Sequence, residues 1–138
     1  MLFYASWPNT GGQARVDEDG YINGAPELVA EVARSSVSID LHAKLHAYRR
    51  NGVCEYVVRR VEDQATDWFV LREGRYEPMV AVEGVYRSEV LPGLWLDAVA
   101  LLRGDLLTVF QTVQRGLNSP EHAAFVRRMQ ETAAQVRS

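Results

Sequence analysis

Glu31 is the residue whose type and position most strongly suggest chemistry. It interrupts the apolar run from Leu28 to Ala33, whose alternation places apolar side chains on both faces of a strand. Burying an ionised carboxylate in such a strand costs several kcal/mol unless something compensates the charge. We therefore expect Glu31 to have a partner, which could be a cationic side chain, a metal ion or a set of hydrogen bonds.

Lys44 is a candidate for that partner. The segment after the strand has helical spacing, with Leu41, Leu45 and Tyr48 as its apolar stripe, and Lys44 lies at the edge of the stripe at roughly 100° per residue. It is also the only lysine among the 15 Lys and Arg residues. This usage indicates a position that needs a compact point charge rather than a planar guanidinium.

A strand carboxylate beside a lysine is typical of metal-dependent phosphodiester hydrolysis. The carboxylate holds a divalent cation, and the lysine positions water or neutralises charge that develops on phosphate. Asp40, one turn before Lys44, has two interpretations. It is a first-turn acid that complements the helix dipole, or a partner at i,i+4 spacing that orients Lys44, and both roles are compatible.

Three further side chains are weaker candidates for metal binding. Glu27 lies on the same strand face as Glu31 but roughly 13 Å away, which is too far to share one ion. We expect it to support the strand entry or to pair with an arginine. His42 and His46 have the i,i+4 spacing of some metal sites. They project from the helix side opposite the apolar stripe, so we expect them to face solvent.

Composition suits one domain. The chain has 138 residues, of which 47% are hydrophobic and 24% charged, enough for a single core. There is no apolar run long enough to cross a bilayer and no signal-peptide pattern, so the expected location is the cytoplasm, without membrane contact. The net charge of −3 argues against a general attraction to DNA, although a local arginine cluster could contact phosphates.

The pattern along the chain predicts a mixed sheet with a crossover helix, followed by carboxy-terminal helices. Residues 1–104 are expected to form the core, and residues 105–138 a helical extension of the same domain. Strands are predicted at Met1 to Trp7, Leu28 to Ala33, Glu55 to Val61, Thr66 to Arg72, Arg75 to Val82 and Val85 to Val90. The first helix is predicted to begin after the candidate N-caps Ser35, Ser36 and Ser38 and to end at Asn51-Gly52. Three later helices are predicted from Asp97 to near Gly104, from Asp105 to Leu117 and from Pro120 to Val136.

The segment from Gly24 to Tyr56 resembles the core motif of the Uma-type family of restriction endonucleases, a branch of the PD-(D/E)XK nuclease superfamily. The family pattern is a Gly-Ala-Pro-acid-Leu-Val-x-Glu-Val strand, a Ser-rich turn, Asp-x-x-x-Lys on a helix, then Tyr, Gly-Val and Glu-Tyr. The matching residues are Gly24, Ala25, Pro26, Glu27, Leu28, Val29, Glu31, Val32, Ser35, Ser36, Asp40, Lys44, Tyr48, Gly52, Val53, Glu55 and Tyr56.

The resemblance implies a restriction endonuclease-like α/β (α+β) fold. It also implies that Glu31 is the catalytic acid and metal ligand, that Lys44 is the catalytic lysine supplied from the helix, that Mg²⁺ or Mn²⁺ is the cofactor, and that DNA is the substrate. Nuclease domains of this superfamily often act as dimers, so a homodimer through the carboxy-terminal helices is expected.

One element of the family pattern has no counterpart in this sequence. Relatives carry an earlier Pro-Asp dipeptide whose Asp is the other metal ligand; alignment places it at or just before Met1, and the chain contains no such dipeptide. We therefore expect the amino-terminal part of the family domain to be missing. Two functions stay open: a metal-dependent endonuclease, and a catalytically silent binding or assembly module in which Glu31 and Lys44 survive as a buried ion pair.

Overall fold

The computed structural model describes residues 1–8, 10–35 and 40–137. Its strands are β1 (Leu2–Ala5), β2 (Arg15–Val16), β3 (Ile22–Asn23), β4 (Leu28–Ala33), β5 (Glu55–Arg60), β6 (Ala65–Arg72), β7 (Arg75–Pro78), β8 (Val85–Arg87) and β9 (Trp95–Asp97). Its helices are α1 (Leu41–Asn51), α2 (Ala98–Arg103), α3 (Leu106–Leu117) and α4 (Pro120–Arg137).

The main sheet has five strands in the order β1-β4-β5-β6-β7. β4 and β5 are parallel, while β1, β6 and β7 join antiparallel to their neighbours. Parallel neighbours need a crossover connection, and α1 provides it between β4 and β5. The predicted fold class, a mixed sheet with a crossover helix and later helices, is confirmed.

The ends of α1 are fixed by local capping. Its N-cap is Asp40, whose side chain accepts a hydrogen bond from the Ala43 N–H. The prediction of a serine N-cap is therefore wrong, and Ser36 and Ser38 lie outside the described residues. The helix ends at Asn51, as predicted, and its C-cap Gly52 adopts a left-handed conformation with φ of 77° that glycine tolerates without strain.

The apolar stripe of α1 covers one face of the sheet, as predicted. Leu41, Leu45 and Tyr48 pack against a buried cluster on that face, and the cluster consists of Val29, Ala33, Val53, Tyr56 and Val58. The opposite face carries a second cluster around Leu28, Trp68 and Val70, which the β8–β9 segment helps to cover.

β4 is covered on both faces only in its first part. Leu28 and Val29 are buried, whereas Val32 is 43% exposed. The expectation of a strand covered on both faces is therefore wrong at Val32, which lies on the face opposite Glu31. On the Glu31 face the strand stays covered, because Ala33 is buried in the cluster beneath α1.

Glu55, at the start of β5, is a buried carboxylate whose hydrogen bonds are satisfied. Its Oε2 accepts from the Ser88 hydroxyl at 2.6 Å and from the Trp68 indole N–H at 3.3 Å. Its Oε1 accepts from the backbone N–H groups of Glu89 and Val90 at 2.7 and 3.2 Å. This carboxylate therefore fastens the segment after β8 to the sheet.

The carboxy-terminal helices are partly covered. α3 packs on β9 through its buried residues Val109, Thr112 and Gly116. Its other face leaves four large apolar side chains exposed: Leu106, Leu107, Phe110 and Leu117. Neither the homodimer expected through these helices nor the division at residue 104 is tested by this arrangement, so both stay predictions. Within the described residues no helix is long and apolar enough to cross a membrane.

We predict that Glu55→Gln lowers the free energy of unfolding by about 2 to 4 kcal/mol, because several buried donors then lose a charged acceptor. The measurement is urea denaturation followed by circular dichroism. The matched control is Glu62→Gln, which removes a carboxylate from a solvent-exposed pair with Arg34 and is expected to cost less than about 1 kcal/mol. Equal losses in the two variants would contradict the role assigned to Glu55.

Candidate active site

Glu31 lies on the α1-covered face of the sheet. Its Cα pairs with Leu2 on β1 and with Val58 on β5. The Glu31 side chain is 15% exposed and contacts two partners: its Oε1 lies 3.5 Å from the Lys44 ammonium, and its Oε2 accepts a hydrogen bond of 2.7 Å from the Tyr56 hydroxyl. The charge compensation that the sequence predicted is therefore present, and it has two parts.

The phase of α1 brings Lys44 to this position. The Asp40 carbonyl accepts the Lys44 backbone N–H at 3.0 Å, which begins the helical ladder one turn before the lysine. The Lys44 ammonium lies 6.0 Å from the centroid of the Tyr48 ring and its side chain is 37% exposed. The ammonium therefore contacts Glu31 while it remains open to a ligand from solvent.

Tyr56 is a site residue to which sequence reasoning assigned no role beyond the family motif. Its ring is fully buried and lies between those of Tyr48 and Phe69, at centroid distances of 4.9 and 6.3 Å. Burial, and then the hydrogen bond to Glu31, raise the pKa of the Tyr56 phenol well above its ordinary value. Because the phenol stays protonated, it is a permanent donor to the carboxylate. The family motif includes Tyr56, but the contact of its hydroxyl with Glu31 is evident only from the folded structure.

Asp40 and Glu27, the two residues predicted to support the site, lie outside the Glu31 contacts. Asp40 uses its carboxylate to cap α1 through Ala43, so the helix-terminus interpretation describes its contact. Glu27 precedes β4 and is 2% exposed. Its Oε1 accepts from the Gln13 backbone N–H, and it lines a different cavity with Trp7. Among the described residues its partner is this backbone amide rather than an arginine.

Another carboxylate on the same face is Asp67, which sequence reasoning missed. The row across the sheet runs Glu31, Val58, Asp67, so Asp67 lies two strands from Glu31, about 9 to 10 Å between Cα atoms. Its Oδ2 lies 2.9 Å from the Arg60 guanidinium. In the structure Asp67 is therefore paired with Arg60 rather than with Lys44 or Glu31.

The divalent metal implied by the resemblance can be tested against these residues. Mg²⁺ in proteins is usually bound by one or two carboxylates, several waters and near-octahedral geometry. In residues 1–8, 10–35 and 40–137 no group of three or more His, Cys, Asp or Glu side chains is arranged to hold a metal ion. Both Glu31 oxygens already contact donors. The described residues therefore do not fit a complete Mg²⁺ site.

His42 and His46 are exposed on α1, as predicted. A cavity of about 460 Å³ lies at the carboxyl end of α1 and is lined by Tyr4, Val29 and Tyr48, together with Gly24, Ala25, Pro26, Asn51 and Val53. Its volume is in the usual range of small-ligand sites, but neither Glu31 nor Lys44 lines it.

We predict that Tyr56→Phe flattens the alkaline pH dependence of stability. The folded state holds this phenolic proton where the unfolded chain, with a tyrosine pKa of about 10, loses it. Stability from this group is therefore present below about pH 10 and lost as the pH rises further. The wild-type slope is expected to fall only in part in the variant, because burial also raises the pKa values of Tyr76, Tyr48 and Cys54.

The measurement is urea denaturation at several values between about pH 9 and pH 11, a window that spans the ordinary tyrosine pKa. The control is Tyr21→Phe, since Tyr21 is 71% exposed and its removal should leave the slope unchanged. A Tyr56→Phe variant with the wild-type slope would refute the assignment of a retained proton to this site.

Comparison with known proteins agrees with this fold and with the motif. No curated protein matches the chain. The sequence profile of the Uma2 family, described as putative restriction endonucleases, matches residues 2–100, a span that includes Glu31, Lys44 and Tyr56. Because the match covers well over half of the sequence, the chain belongs to the Uma2 family and is a member of the restriction endonuclease-like superfamily.

Proposed function

We propose that this chain is an endonuclease-fold protein directed at DNA phosphodiesters, with Glu31 and Lys44 as its reaction-centre residues. The observation that carries the proposal is the distance of 3.5 Å between the Lys44 ammonium and the Glu31 carboxylate. The family to which the chain belongs is described as restriction endonucleases. A partly exposed ammonium next to an acid on a sheet face can bind a phosphate and place water beside the same acid.

Each residue of the pair has a chemical role in this proposal. The Lys44 ammonium contacts a non-bridging phosphate oxygen and offsets charge that builds up there. The Glu31 carboxylate accepts a proton from the attacking water. Tyr56 is a positioning residue, because its hydroxyl fixes one carboxylate oxygen at 2.7 Å and leaves the other directed toward Lys44.

The metal dependence expected from the family is a separate part of the proposal. Restriction endonuclease-like enzymes generally use a divalent metal, which supplies charge neutralisation and activates water. Glu31 is the carboxylate that would bind such an ion, but the described residues do not complete a site for Mg²⁺ or Mn²⁺.

We predict that any divalent-metal-dependent nicking of supercoiled plasmid by the purified chain is abolished by Glu31→Gln and reduced at least about 100-fold by Lys44→Met, since each removes one half of the pair. The measurement is gel analysis of nicked and linear products with Mg²⁺ and with Mn²⁺. The matched control is Glu62→Gln, an exposed acid far from the pair in sequence. Nicking that survives in Glu31→Gln at the wild-type rate would contradict the proposal.

A second candidate function is a catalytically silent DNA-binding or assembly module. It is favoured by one observation: Glu31 contacts an ammonium and a phenol, and the part of the chain that the structure describes holds no group of three or more metal-binding side chains around it. A closed pair of this kind can persist as a structural ion pair. Replacing both members of such a pair with apolar groups is often neutral or stabilising, so the double variant Glu31→Leu/Lys44→Met would keep the fold in this case, and no divalent metal would produce nicking by the wild type.

We predict that Leu2→Asp creates divalent-metal binding. Leu2 on β1 is the direct Cα partner of Glu31, so an Asp there presents a second carboxylate with Cβ atoms about 4.5 to 5.5 Å apart. Addition of Mn²⁺ is then expected to raise the melting temperature of Leu2→Asp by at least several degrees, through preferential binding to the folded state.

The control for this variant is Tyr4→Asp, which places an acid on the same strand and face but opposite Val29. Tyr4→Asp and the double variant Leu2→Asp/Glu31→Gln are expected to show no Mn²⁺ shift. An equal shift in all three would mean that Glu31 is not part of the ion's coordination.

A further inference from the structure

A basic cavity lies between α1 and β7, on the flank of α1 away from Lys44. Its volume is about 410 Å³. We call it the α1–β7 pocket, and the residues that line it are His42, Leu45, His46, Arg49, Arg75 and Tyr76. Nitrogen donors dominate this set, and none of its members is acidic. In a chain with a formal net charge of −3, such a concentration of positive groups is local rather than a general property of the surface.

Contacts within the pocket hold several of these groups in place. The Arg49 guanidinium donates to the Gly74 carbonyl at 3.4 Å and lies 3.3 Å from Nδ1 of His46. A guanidinium only donates hydrogen bonds, so in this contact Nδ1 of His46 is the acceptor. The Tyr76 hydroxyl donates to the Val53 carbonyl at 2.6 Å. The hydroxyl therefore ties β7 to the turn after α1, and the ring serves as a wall of the cavity.

The acids on neighbouring elements have other partners or positions. Asp40 caps α1 through the Ala43 N–H. The Glu77 carboxylate lies 3.2 Å from the Arg72 guanidinium. Glu73 occupies the turn before β7 with φ of 49° and is not part of the cavity lining. The positive charge of Arg49 and Arg75 is therefore not cancelled by a carboxylate inside the pocket.

This chemistry suits the oxyanion of a phosphate. Arginine presents a planar fork of donors that matches phosphate, and the exposed imidazoles add further donors. Leu45 and the Tyr76 ring give the cavity an apolar wall, against which the sugar of a nucleotide can pack. A free phosphate would use the donors and leave that wall unused, so the lining favours a phosphate that belongs to a nucleic-acid strand.

The position of the pocket relates it to the Glu31–Lys44 pair. At roughly 100° per residue, His42, His46 and Arg49 lie on the side of α1 opposite Lys44, so the helix width of about 10 Å separates the two groups. Because B-DNA rises about 3.4 Å per nucleotide along the duplex axis, the two groups are far enough apart to contact different phosphates of one strand. One strand crossing α1 can therefore place one phosphate at Lys44 and another at the pocket.

We propose that the α1–β7 pocket is a phosphate subsite that holds the backbone of a nucleic-acid strand whose phosphodiester lies at Lys44. This inference rests on the proposed function, since it takes DNA as the ligand of the Lys44 centre. It adds a second contact, on the opposite flank of the same helix, that needs neither a metal nor cleavage. The subsite would fix the register of the strand on the protein.

The test is fluorescence anisotropy of a labelled oligonucleotide, in single-stranded and duplex form, at several KCl concentrations with EDTA present. Arg75→Ala and Arg49→Ala are each expected to weaken binding about tenfold and to lower the slope of log affinity against log salt by about 1. Arg127→Ala on α4 removes the same charge outside the pocket and is expected to leave affinity and slope unchanged. Wild-type affinity in Arg75→Ala, or an equal loss in Arg127→Ala, would overturn the subsite.

Two further arms separate this proposal from the proposed function. Glu31→Gln is expected to retain oligonucleotide binding that Arg75→Ala still weakens, so a chain that cleaves nothing can nonetheless support the subsite. In the second arm, inorganic phosphate competes with the oligonucleotide for wild type. A wild type that is stabilised by inorganic phosphate through Arg75 but binds no oligonucleotide would overturn the nucleic-acid assignment and leave a free-phosphate site.

Discussion

The structure depends on how an acid inside the sheet is compensated. Glu31 lies on β4 with only 15% of its side chain exposed, and two donors from different elements compensate its negative charge. Lys44 comes from the crossover helix and Tyr56 from the parallel neighbour strand. Removing one partner of a mostly buried ion pair is costly. The position of α1 on the sheet and the chemistry of the candidate centre therefore depend on the same contacts.

The sequence was most informative where two signals coincided. Apolar periodicity located the strand with Glu31 and the helix with Lys44, and the 3.6-residue repeat was enough to turn the ammonium toward the sheet. The same repeat placed His42 and His46 on the exposed side. These predictions needed only local geometry, which explains why the ion pair at 3.5 Å agrees with them.

The features that escaped prediction depend on contacts distant in sequence. The parallel register of β4 and β5 places Tyr56 opposite Val29, two residues before Glu31 on the same face, and the phenol reaches Glu31 along the sheet. Neither this contact nor the row that ends at Asp67 could be predicted from spacing within one segment. The Glu55 network joins β5 to residues more than 30 positions later. The N-cap of α1 was misassigned because serine and aspartate are similarly good caps, and composition does not rank them.

Asp40 has an effect on the evolution of this chain that extends beyond its hydrogen bond. As the N-cap it begins α1 one turn before Lys44, and the packing of Leu45 and Tyr48 on the sheet fixes the rotation of the helix about its axis. Insertions or deletions upstream of the cap leave both features unchanged, so length variation there is tolerable for the centre. A single residue inserted between Asp40 and Lys44 would instead rotate the cap by about 100° relative to Lys44 and the packed face. The length of the segment before Asp40 can therefore vary, whereas the spacing between Asp40 and Lys44 is constrained.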